Sequence, residues 1–229
     1  MTILIDLSIL SHIINVLGEW NRFIDHGEAK KLLPILINLY EFSEVCPAKE
    51  NVFRAFNLIT PDECKVVFIG QDPYPQRGVA TGILFGNRMD TPESEYSPSL
   101  KVIRNSIKDL ENSNLVSNFD PTLESWAKQG ILMLNSSLTV EVNRIGSHTM
   151  IWRRFIAKFI NNLSRCNDSL IYVLFGELAQ TFSPYIFGGT ILKAKHPAYY
   201  ARTNTPMPSN VFNDINTILD KYGTSIKWC

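Results

Sequence analysis

Asp72 and Tyr74 each stand directly before a proline in Gly70-Gln71-Asp72-Pro73-Tyr74-Pro75. A proline fixes its own φ and holds the preceding residue extended, so both side chains sit on a stiff loop. A carboxylate and a phenol held in this way have the makings of a pre-organised site. Taken alone, the stretch reads equally well as a surface turn that happens to contain an aspartate and two prolines.

The elements around it tip the balance. Val66-Val67-Phe68-Ile69 is a short β-branched run that ends at this loop, the pattern of a buried strand. The same grammar recurs three times. Ile131 to Leu134 ends at Asn135-Ser136-Ser137, and Leu170 to Phe175 ends at Gly176-Glu177. Thr190 to Leu192 leads through Lys193-Ala194-Lys195 to His196-Pro197. Helical patterning separates the runs, which implies parallel pairing with every strand finishing on one side. Ligands of open α/β sheets bind outside those carboxyl ends. Asp72, Asn135 and His196 are therefore expected to share one crevice, unless the strand order separates them.

The expected fold is a three-layer α/β/α arrangement around a central, mostly parallel four-stranded sheet, with residues 1–229 forming one domain. With 45% hydrophobic and 19% charged residues, the chain is globular rather than disordered. Its formal net charge is zero, so a nucleic-acid partner must be held by a local surface instead of bulk charge. Arg153-Arg154, Lys193 with Lys195, and Arg202 are such local clusters, although pairs of this kind are usually solvated faces. Cys46, Cys64, Cys166 and Cys229 include no CxxC pair, and His12, His26, His148 and His196 show no ligand spacing. No metal and no cofactor are expected, and the cysteine usage suits a reducing, cytoplasmic setting. No apolar run is long enough to span a bilayer, and Met1 to Leu17 reads as an amphipathic helix rather than a signal peptide.

Helices are expected over 7–17, 28–41, about 100–110, 149–163 and 209–222, with Gly223 as the last cap. Trp126 is expected on a short helix entering the second strand.

With these residues in view, the chain resembles the family 1 uracil-DNA glycosylases from about Trp20 to Trp228. The anchors are the hexapeptide at 70–75, Gly82 to Phe85, Ser97-Pro98-Ser99, Trp126 to Val140, Ser147-His148 and His196-Pro197. Each is weak alone; their order and strand-end placement are specific. The resemblance implies that uracil leaves the DNA stack and enters a pocket, the general device of DNA glycosylases. It implies that Phe85 stacks on the base, although an aromatic after Gly82-Ile83-Leu84 is more often core. Asn135 would pair with O4 and N3–H through its amide, and Tyr74 would exclude the methyl of thymine. Gln71 would contribute backbone contacts and loop shape. Asp72 would stabilise the sugar cation and orient the attacking water, while His196 would donate to uracil O2. Pro98, Ser99 and Tyr200 would touch DNA, with Tyr200 as the apolar wedge that fills the vacated stack. The implied partner is uracil-containing DNA, single- or double-stranded, acted on by a monomer, with any protein inhibitor left open.

Three departures bear on this reading. Pro75 stands where common family members carry histidine, a change expected to lie just outside the pocket. Ala198 and Ala201 replace two phosphate-contacting hydroxyls. Glu177 falls where the family offers a serine, and must turn away from a phosphate or pair with Lys193, Lys195 or Arg202. Two rival readings use the same fold: a glycosylase for another modified pyrimidine, and a non-catalytic DNA-binding or replication-accessory module. A nucleotide-binding protein is disfavoured because no GxGxxG or Walker-type loop is present.

Overall fold

The protein is described by a computed structural model over residues 16–108, 110 and 119–228. The helix expected over 7–17 lies almost wholly outside those residues, as does Cys229.

The strands are β1 (Val45–Cys46), β2 (Val66–Gly70), β3 (Ile131–Asn135), β4 (Val140–Glu141), β5 (Ile171–Phe175) and β6 (Thr190–Ala194). β1 and β4 form a small antiparallel pair. The other four make the central sheet in the order β3-β2-β5-β6. All three of its pairings are parallel, so the sheet is wholly rather than mostly parallel.

Every residue of β2, β3 and β5 is buried. This is why these strands read as continuous apolar runs: both faces of the sheet are covered, and alternation has nothing polar to show. The side chains still divide by parity. Val67, Ile69, Leu132, Leu134, Tyr172 and Leu174 enter one apolar cluster. Val66, Phe68, Ile131, Met133, Ile171, Val173 and Phe175 enter the other.

The helices are α1 (His26–Phe42), α2 (Pro98–Ile107), α3 (Glu124–Ala127), α4 (Thr149–Cys166), α5 (Gly176–Gln180), α6 (Pro197–Thr203) and α7 (Asn210–Leu219). On the first face lies α4, whose Trp152, Phe155, Ile156, Phe159, Ile160 and Leu163 recur at three- and four-residue steps along one stripe. Leu32, Leu33 and Leu36 of α1 join them, and the Asp25 carboxylate caps α1 by accepting from the Glu28 N–H at 3.0 Å. On the second face lie α2 with Leu100, Ile103 and Ile107, Trp126 of α3, and α7 with Val211, Phe212 and Ile215. The three layers follow from these two clusters. The last helix stops at Leu219 and continues as a 3-10 turn over Asp220–Tyr222, closed by Gly223 at φ 70°. No helix among the described residues is long and apolar enough to cross a membrane.

Register decides what the sheet delivers. Gly70 lies opposite Asn135, and Phe175 opposite Ala194, so four strands end along one edge. From β2 the chain moves to one side of the sheet, and from β5 to the other, which places a switch point between them.

Candidate active site

The carboxyl edge opens into a cavity of about 590 Å³, the size of a small-molecule site. Gln71, Asp72, Tyr74, Phe85, Asn135 and His196 all line it, as do Pro98 and Ser99. The convergence expected from strand ends therefore holds. Tyr200 does not line the cavity; it is half-buried against the second apolar cluster.

The 70–75 loop is held by more than its prolines. Ser136 and Ser137 donate their N–H groups to the carbonyls of Gly70 and Gln71, each at 3.0 Å. Asn143 donates to the carbonyl of Pro75, also at 3.0 Å. Asp72 Oδ2 accepts from the Gly146 N–H at 2.7 Å and from Gln71 Nε2 at 3.1 Å. Asp72 Oδ1 is buried and has no protein partner. Burial raises the Asp72 pKa above the usual carboxylate value, against the two hydrogen bonds that favour the ionised form.

Asn135 is 7% exposed, and its Oδ1 is likewise buried without a protein partner. A Cβ at position 70 would lie 2.2 Å from Leu84 Cδ1 and 3.1 Å from Asn135 Oδ1, so Gly70 is what allows the amide to sit there. The Tyr74 hydroxyl donates to the carbonyl of Phe85 at 3.1 Å, and burial drives its pKa upward. The phenol stays neutral and ties the two aromatic residues together. Phe85 adopts φ 63°, a left-handed conformation that costs a non-glycine residue strain. It is also buried, with its ring edge-on to Phe175 at 5.3 Å and to His196 at 5.4 Å. Phe85 is thus a core residue that also forms part of the cavity wall.

His196 caps α6, its Nδ1 accepting from the Ala198 N–H at 3.1 Å. That bond leaves the proton on Nε2. Burial, helped by the charge of Arg202, pushes its pKa down to about 4. The imidazole is thus neutral near pH 7 and carries one free donor. Gly176 makes room for it, since a Cβ there would lie 3.0 Å from His196 Cβ.

Ser99 is buried beneath the rim, where its hydroxyl and that of Ser97 face the Tyr74 phenol, while Pro98 is exposed. Asn87 staples this loop, accepting from the Ser97 N–H at 3.2 Å and donating to Ser97 Oγ at 3.0 Å. Pro75 lines the cavity itself, which corrects its expected place outside. Its carbonyl is bound by the Asn143 N–H, which ties the end of the loop at the cavity wall. Glu177 is exposed, lies off the cavity wall and forms no ion pair among the described residues. Of its two expected outcomes, the pairing with Lys193, Lys195 or Arg202 is not made among the described residues.

Gly146, Gly176 and Asn87 escaped the sequence reading. The first acts through its backbone, the second through a missing atom, and neither leaves a chemical signature in a residue name. A turn signal did exist at Asn143-Arg144-Ile145-Gly146, where both ends take positive φ.

The family model for the uracil DNA glycosylase superfamily matches residues 56–220. The chain is 32% identical over 223 residues to a uracil-DNA glycosylase of Azobacteroides pseudotrichonymphae genomovar. CFP2, covering 94% of this chain and 99% of that one. It is 34% identical over 220 residues to the uracil-DNA glycosylase of Campylobacter jejuni, covering 92% of each. Among solved structures, mimivirus uracil-DNA glycosylase matches with a TM-score of 0.72 at 22% identity, over 96% of this chain and 92% of that one. A mimivirus UNG variant solved in complex with UGI matches at 0.74 with 25% identity, over 88% and 82%.

Proposed function

Because the chain belongs to the uracil DNA glycosylase superfamily, we propose that it hydrolyses the N-glycosidic bond of uracil in DNA. Free uracil leaves, and an abasic site remains for base-excision repair. Within the superfamily we place it in family 1, on the hexapeptide at 70–75 and on His196-Pro197.

One observation carries the reading. Two buried oxygens, Asp72 Oδ1 and Asn135 Oδ1, belong to residues of the same cavity wall, and neither has a protein partner. Buried polar groups are nearly always paired, so these two are the partners of something that enters. Asn135 Oδ1 suits the N3–H of uracil, while the amide NH₂ suits O4; the N3 of cytosine carries no proton to offer. Phe85 supplies an apolar wall for the base, and Tyr74 stands where bulk at C5 would have to fit.

Cleavage puts positive charge on the sugar and negative charge on the departing base. Asp72 answers the first: two hydrogen bonds anchor Oδ2, leaving Oδ1 to face the sugar and orient a water. His196 answers the second as a neutral donor, giving its Nε2–H to O2 as charge builds there. A neutral imidazole needs no counter-ion in a buried site, and its tautomer is already set by Ala198. The non-catalytic alternative leaves both orphaned oxygens without a purpose.

The test is direct. A uracil-containing oligonucleotide is incubated with the protein in EDTA, treated with alkali and inspected for strand breaks at the uracil position. Breaks there, with free uracil in the supernatant, are expected; an intact strand rejects the proposal.

A further inference from the structure

The cavity wall carries three charged side chains among the described residues: Asp72, Glu95 and Arg202. Arg202 is the sole cation of that set. It is exposed and makes no ion pair with any described residue. Lys195, the nearest basic residue in sequence, is already engaged, with its Nζ 4.1 Å from the centroid of the Tyr199 ring.

Position makes Arg202 informative. It lies four residues after Ala198 on α6, hence on the same helix face one turn on, and both line the cavity. The backbone that carries the arginine is firmly set: Asn204 ends the helix at φ 50°, the Thr205 N–H donates to the Tyr200 carbonyl at 3.1 Å, and Thr203 Oγ1 donates to the Tyr199 carbonyl at 3.0 Å. A guanidinium on the wall of this cavity lies beside whatever strand delivers a base to it, and it presents a fork matched to phosphate oxygens.

We propose that Arg202 binds a backbone phosphate of the strand carrying the extruded uridine. The inference rests on the glycosylase reading of the cavity. Its charge has a second, separate effect, since it helps keep His196 neutral. With no net charge on the chain, a single well-placed cation carries an unusual share of the electrostatic attraction.

The experiment measures binding of a labelled single-stranded oligonucleotide bearing a non-hydrolysable 2′-fluorinated deoxyuridine, from about 50 mM to about 200 mM salt. The parent is compared with Arg202→Ala, Arg202→Gln and Arg202→Lys. Arg165→Ala serves as a control, because Arg165 stacks on Phe187 at the far end of α4. Loss of the charge is expected to weaken binding about 10-fold at low salt and to make the slope of log K against log[salt] shallower by ~0.7, the value for one phosphate on a single strand. Lysine is expected to restore the slope, and Arg165→Ala to leave it unchanged. In turnover of a cleavable substrate the loss should fall on KM, with kcat within about twofold of the parent. Parental slopes in both Arg202→Ala and Arg202→Gln would overturn the proposal, as would equal loss in the Arg165 control. Failure of the glycosylase reading is distinguishable, because the parent would then release no uracil while the binding slopes would still report on Arg202.

Discussion

The base pocket and the rim beside it are built on opposite principles. In the pocket, the functional groups are half-buried and held by backbone donors and acceptors: Gly146 on Asp72, Ala198 on His196, the Phe85 carbonyl on Tyr74. On the rim, α6 presents Ala198, Tyr199, Tyr200, Ala201 and Arg202. Tyr199 is 38% exposed and edge-on to the half-buried Tyr200 at 5.3 Å. Burial makes each pocket interaction strong and each misplacement costly, because the dielectric is low and water cannot substitute. The rim works in solvent, where single contacts are weak and salt-sensitive. The pocket should therefore set which base is cut, and the rim how readily a strand is held.

The largest expected effects lie in the pocket. Asp72→Asn and His196→Leu should each lower single-turnover uracil release by ~10²–10³, the usual cost of one transition-state electrostatic element. Their circular dichroism should match the parent. If a substitution on α6 outside the cavity cost as much, the division between pocket and rim would be wrong.

Next come the specificity substitutions. Tyr74→Ala should raise thymine release by ~10–200-fold over the parent, the range spanned by one methyl group in an apolar pocket. Asn135→Asp should admit cytosine weakly, since a protonated carboxyl can present the complementary pattern. Mass spectrometry of bases freed from normal duplex DNA reads both. Absence of thymine with the Tyr74 variant would move the exclusion to another residue.

Rim effects should be smaller and depend on the substrate. With two hydroxyls missing, the protein should prefer uracil in single strands, where little stacking has to be broken. Ala198→Ser should narrow the gap between single and double strands by ~2–10-fold, the worth of about one hydrogen bond. Glu177→Ser should add little, because Glu177 is exposed and is not part of the cavity wall. Tyr200→Ala should widen the gap if its half-buried ring serves as the wedge. Matched single-turnover rates on both substrates decide this, and equal parental rates on the two would show that the rim is complete as it stands.

Much of this arrangement was legible beforehand. The strand-end rule placed Asp72, Asn135 and His196 together because parallel strands share a carboxyl edge, and Gly70 opposite Asn135 is that rule at work. What escaped was carried by atoms that side-chain names do not advertise: the Gly146 N–H, the space left by Gly176, and the amide of Asn87. Tyr200 reads as a wedge, but which ring of the tyrosine doublet faces solvent escaped, since only packing against α2 and its neighbours decides it. Pro75 was misplaced because its position depends on a carbonyl bond to Asn143, a partner 68 residues away in the chain.

The smallest effect concerns stability. The folded-state pKa of Asp72 is raised by burial, so its contribution is fully present below the unfolded value of 3.8 and is lost as pH rises through the folded value. Asp72→Asn should therefore melt above the parent near neutral pH, with the difference vanishing in acid. A variant that is inactive yet more stable would mark Asp72 as a group kept for chemistry at the fold's expense.

The central claim, that a neutral His196 works beside an ionised Asp72, is tested most directly by the pH dependence of single-turnover uracil release between about pH 4 and about pH 9. His196 is pushed down to about 4 by burial and Arg202, so it is neutral over all but the acid end of the range, while Asp72 must lose its proton to act. The expected profile rises through an acid limb placed above the ordinary carboxylate value and then stays flat, with no inflection near the ordinary histidine value of 6.5. A rate that falls as pH rises through 6.5 would show that His196 acts as an imidazolium and would contradict the account.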